Sequence, residues 1–226
     1  MIAESSHPLT RRRLRSPRAA ALAGIVFSLL LGASLLLIQL SIPDVPPYET
    51  DWLSGQAGRV SVAVTLIPFA GIAFLWFMGV IRDQLGELED QFFSSVFFGS
   101  GLLMLGGLFV WMTVIASVLA SYAATPDIFF GSGAYIFGRS MIKVMGGVVT
   151  LRMAGVFMFS SGTIWMRTEI MPRWLVWLTY LIGVVLLIGG PSLRVLRLGF
   201  PVWVFVVSLF LLRESAQRED IEEGKE

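Results

Sequence analysis

The chain has 226 residues, 55% hydrophobic and 15% charged, with a formal net charge of +1 and a mean hydropathy of +0.76. A soluble domain carries about 25% charged residues, so this composition excludes an ordinary soluble fold, and the near-zero charge excludes a nucleic-acid binder, which needs a concentrated basic face to displace counterions. With no cysteine, disulfides, thiolate metal sites and thiol redox chemistry are also excluded.

The expected fold class is all-α, an integral membrane helical bundle of about six transmembrane helices. Residues 19–212 form the bundle, between a basic tail (1–18) and a charged tail (213–226). Residues 19–42 are apolar for about two dozen positions, enough to cross a hydrocarbon core of about 30 Å at 1.5 Å per residue. They follow "RRRLRSPR". The apolar run outlasts the roughly 7–15-residue core of a signal peptide and no A-x-A-like site follows it, so it reads as an uncleaved anchor. "PDVPPYETDW" then breaks the helix with prolines.

The second span is expected over residues 60–81, with Trp76 close to an interface and Arg82 at emergence. "RDQLGELEDQ" makes an acidic turn, and residues 92–124 form a third span longer than a bilayer requires. The aromatic connector "TPDIFFGSGAYIFGRS" has the composition of a headgroup-level segment. A fourth span follows over 141–166 and a short fifth over 174–190. The last apolar run, 198–212, carries Pro201 and falls short of the roughly 17–25 residues preferred for a span. The tail "RESAQREDIEEGKE" is expected to continue as a solvated helix or to fray, with Glu214 and Arg218 spaced i,i+4.

Counting arginine and lysine alone gives the orientation. With the N-terminus inside, Arg11, Arg12, Arg13, Arg15, Arg18, Arg82, Arg167, Arg173, Arg213, Arg218 and Lys225 are cytoplasmic, while Arg59, Arg139, Lys143, Arg194 and Arg197 are outside. Eleven against five favours two cytoplasmic termini. Arg11, Arg12, Arg13 and Arg15 satisfy that rule, and they also suit anionic lipid headgroups. The lipid bilayer is the one partner that the composition implies.

The stretch "LWFMGVIRDQLGELEDQFFSSVFFGSGLL", residues 75–103, resembles uncharacterised bacterial multi-pass integral membrane proteins. The resemblance covers one hairpin and implies a bacterial plasma membrane, with no activity and no functional residue.

Little chemistry is available. The one histidine, His7, lies in the polar tail, so the bundle offers no imidazole for haem, zinc or general-base work. Ser100 and Ser132 stand in "GSG" sequences but lack a base and read as packing residues. Asp83, Glu87, Glu89 and Asp90 read as a solvated turn, without the ligand spacing of a calcium loop. No catalytic residue, metal or cofactor is expected.

Attention therefore falls on the fourth helix. At 100° per residue Lys143, Gly147, Thr150, Ala154 and Ser161 share one narrow face, whose small and hydroxylated residues suit close helix packing. Arg152 falls about 180° around from Lys143 and about 15 Å into the core, near the midplane, where a lone guanidinium is costly. Two readings follow. In one, Arg152 bonds backbone carbonyls and hydroxyls such as those of Tyr180 or Thr113 and fixes helix order. In the other, it is the floor of an outward-opening cavity with Arg139 and Lys143 at the mouth, accepting a carboxylate, phosphate or lipid headgroup. The leading functional expectation is a non-enzymatic membrane protein acting through partner or lipid contacts. The alternative is a small transporter or binder for an anionic or amphiphilic molecule.

Overall fold

A computed structural model of the chain describes residues 17–42, 51–85, 91–189 and 196–223. Every regular element among them is helical: α1 (Pro17–Ser41), α2 (Asp51–Leu85), α3 (Gln91–Ala124), α4 (Pro126–Phe129), α5 (Gly133–Val144), a π-helical turn (Met145–Val149), α6 (Thr150–Thr168), α7 (Arg173–Ile188) and α8 (Leu196–Glu223). The protein is an all-α helical bundle. The basic residues Arg11, Arg12, Arg13 and Arg15 lie outside the described residues, as do Arg194 and most of the acidic turn.

Five helical stretches are long and apolar enough to cross a membrane, Arg18–Ser41, Gly55–Arg82, Phe92–Ala124, Gly133–Thr168 and Leu196–Gln217. The short member is α7, with 16 residues, or about 24 Å at 1.5 Å per residue. The last span is therefore longer than its apolar core suggests. Pro201 is only the sixth residue of α8, close to the turn where a missing N–H matters least, and the charged tail prolongs the helix to Glu223. The aromatic connector also differs from expectation. It folds into α4 and α5, with Ile128, Ile136 and Phe137 exposed, and α5 runs through the π turn into α6 as one helix.

Helix contacts join α1 to α2, α2 to α3, α3 to α6, α6 to α7, α7 to α8 and α8 back to α1, closing a ring of six. Aromatic side chains fill its middle. Phe157 of α6 lies 5.3 Å from Phe74 of α2, 4.7 Å from Phe97 of α3 and 5.9 Å from Phe200 of α8, and Phe27 of α1 lies 4.7 Å from Phe74. Lipid is as apolar as these rings, so burial alone does not hold helices together in a bilayer; close packing and ring quadrupoles do, at about 0.5–1.5 kcal/mol per aromatic pair.

Hydrogen bonds pin the seams. Ser34 of α1 donates to the Ala63 carbonyl of α2 at 2.8 Å, Trp203 of α8 donates to Thr179 of α7 at 2.8 Å, and the Thr163 and Tyr180 hydroxyls meet between α6 and α7 at 3.0 Å. Each is worth about 0.6–2 kcal/mol in a bilayer. The α6–α7 seam also needs glycine, because a Cβ on Gly155 would stand 2.8 Å from Leu187 and 3.0 Å from the Gly183 carbonyl.

Candidate functional site

The π turn is where the expected helical face meets the observed one. Two adjacent glycines, Gly146 and Gly147, let the backbone widen, and the Thr150 hydroxyl bonds the Met145 carbonyl five residues back at 2.8 Å. Such a turn inserts one residue into the helix, so everything before it rotates by about 100° relative to everything after. Gly147, Thr150, Ala154 and Ser161 are all buried, whereas Lys143, on the far side of the inserted residue, is exposed. The same phase shift reduces the angle between Lys143 and Arg152 from about 180° to about 80°. Both side chains are exposed.

Arg152 makes no hydrogen bond or ion pair among the described residues. The hydroxyls anticipated for it are engaged elsewhere, Tyr180 with Thr163 and Thr113 with the Phe109 carbonyl. Its depth also changes. Arg152 stands fifteen positions from Arg167, about 22 Å along the helix, which in a core of about 30 Å leaves the opposite boundary within snorkelling reach. The C-terminal end of α7 is level with it, since Leu187 packs on Gly155. Arg139 is half-buried, donating to its own helix neighbour Tyr135 at 3.1 Å.

Among the described residues, the charged side chain that lines a cavity between the helices is Arg197. It lines a cavity of about 30 Å³ together with Leu108, Trp111, Gly146, Thr150 and Pro201. The guanidinium lies 6.0 Å over the Trp111 ring and has further partners, but its Nε is a buried donor with no hydrogen bond. Trp111 also secures the π turn: its indole N–H donates to the Ile142 carbonyl at 2.9 Å, and a Cβ on Gly146 would come within 2.5 Å of that nitrogen. In lipid every backbone polar group must find a partner, so the indole holds a carbonyl beside the irregular turn. Pro201 lacks the N–H that would bond the Arg197 carbonyl. A cavity of this size suits a water or two.

Sequence reasoning missed Arg197 because "PSLRVLRLG" reads as a turn outside the membrane, although the Gly146–Gly147 pair was a visible sign of a weak point in the helix. The two candidate serines are structural. Ser100 donates to the Val96 carbonyl at 2.6 Å, and Ser132 accepts from the Tyr135 N–H at 3.3 Å as the N-cap of α5.

A second concavity, about 560 Å³, opens at the other end of the bundle where α6 turns into α7. It is lined by Trp165, Glu169, Met171, Arg173, Val176 and Trp177. Trp165 forms its inner wall and stacks on Trp203 at 5.7 Å, while Trp177 stands exposed at its rim. Nearby, Arg167 covers the Phe93 ring at 4.4 Å and Arg82 the Phe98 ring at 5.2 Å. Guanidinium groups on aromatic faces, with exposed tryptophans beside them, are characteristic of a membrane–water boundary.

The apolar helices, their lengths and these boundary residues define a multi-pass membrane protein that contacts the lipid bilayer. Comparison with protein-family models, with curated proteins and with solved structures finds no match.

Proposed function

We propose that this is a non-enzymatic protein of a bacterial plasma membrane, with both termini in the cytoplasm, that works through lipid and partner contacts on its outer surface. The observation that carries the reading is the placement of charge. Lys143, Arg152, Glu169 and Arg173 all face outward, and the cavity at Arg197 has room for little more than water. A conduit for an anionic amphiphile would need a wider passage than that. The orientation rests on the excess of arginine and lysine assigned to the inner side, and Arg11, Arg12, Arg13 and Arg15 would add anionic headgroups to the contacts made there.

The test is solute flux. Vesicles carrying the purified protein and loaded with carboxyfluorescein are expected to leak at the rate of protein-free vesicles. Protein-dependent efflux that Arg152→Gln abolishes would replace this reading with transport. A fluorescent-protein fusion at the C-terminus, which folds in the cytoplasm and not after export, is expected to glow.

A further inference from the structure

We propose that the groove between α6 and α7 is a binding site for a zwitterionic phospholipid, with the phosphate on Arg173 and the primary ammonium of an ethanolamine headgroup on Glu169. The inference rests on the reading of the protein as one that works through lipid contacts, and it names the lipid. Its volume of about 560 Å³ lies within the roughly 300–1,000 Å³ of small-molecule sites. Opposite charges line the one concavity, yet among the described residues Glu169 and Arg173 neither pair with each other nor make another hydrogen bond. Both are exposed, held on either side of the three residues 170–172, with Pro172 as the N-cap of α7.

Charge complementarity selects the occupant. Arg173 alone would take any phosphate, but a carboxylate in the same groove disfavours an anionic headgroup and rewards one that carries a cation beyond its phosphate. A primary ammonium offers three donors to the Glu169 carboxylate, and a trimethylated one offers none. The apolar wall of Met171, Val176 and Trp177 suits the glycerol and the start of an acyl chain, at the level where Arg82 and Arg167 mark the headgroup boundary. Glu169 also occupies a costly position. Its φ of 53° puts a side-chain-bearing residue in the left-handed conformation that glycine adopts most easily.

The experiment is native mass spectrometry of the full chain released from vesicles of phosphatidylethanolamine, phosphatidylglycerol and phosphatidylcholine in equal amounts. The wild type is expected to retain phosphatidylethanolamine about fivefold over either of the others, the upper range for an exposed charge pair. Glu169→Gln is expected to erase that preference, and Arg173→Gln to lower retention of all three. Glu169→Gly relieves the backbone at φ 53°, so it is expected to melt no lower than the wild type while losing the preference, which separates recognition from folding. Equal retention of the three lipids by the wild type, or a preference that survives Glu169→Gln, would overturn the proposal. Either result would leave the flux test to decide the broader reading on its own.

Discussion

Trp111 does two jobs with one side chain. Its ring lies under the Arg197 guanidinium, and its N–H holds the Ile142 carbonyl next to the π turn. Trp111→Phe keeps an aromatic ring but removes the indole's hydrogen bond to that carbonyl, which retains only the Met145 N–H, so it is expected to lower bundle stability by about 0.5–1.5 kcal/mol in detergent unfolding. Gly146→Leu would drive a side chain into the indole and is expected to cost a similar amount, about 1–3 kcal/mol. The contrast is Arg152. Because it is exposed and makes no hydrogen bond among the described residues, Arg152→Leu is expected to change stability by no more than about 0.5 kcal/mol. A larger loss in the same assay would show that the guanidinium holds the bundle together.

Among the elements, the α6–α7 pair depends most on a single small residue. Gly155→Leu would collide with Leu187 and the Gly183 carbonyl, and α7, the shortest of the six ring helices, has little other surface with which to compensate. Limited proteolysis in the turn at residues 169–172 is expected to speed up in that variant; an unchanged digestion pattern would contradict the tight seam. Helices α1 to α3 were legible because long apolar runs flanked by charge admit few alternatives in a bilayer. Within α6, Thr150, Ala154 and Ser161 are all buried along a regular helix that preserves its phase, and Gly147 is buried inside the π turn that precedes it. Lys143 is exposed, since the inserted residue of the π turn breaks that phase and a fixed 100° step cannot register it. The sixth ring helix was hard to read for a different reason. Its length comes from the charged tail, which continues the helix without adding to its apolar run.

At the scale of the whole molecule, six helices close on Phe74, Phe97, Phe157 and Phe200, while of the charges expected to share a pocket Lys143 and Arg152 are exposed and Arg139 is half-buried against Tyr135. Arg197, whose guanidinium lies over Trp111, belongs to a segment that looked like a loop, so its partial burial depends on how α8 lies beside α3 and the π turn, which no local pattern encodes. The central claim is that this interior is sealed. Since the chain has no cysteine of its own, single-cysteine variants labelled with a membrane-impermeant maleimide test it most directly. Thr150 lines the Arg197 cavity and is 7% exposed, and Lys143 is exposed on the same continuous helix. Lys143→Cys is expected to label readily in intact vesicles, and Thr150→Cys only after unfolding in detergent. Labelling of Thr150→Cys in the folded protein at a rate close to that of Lys143→Cys would contradict a sealed core.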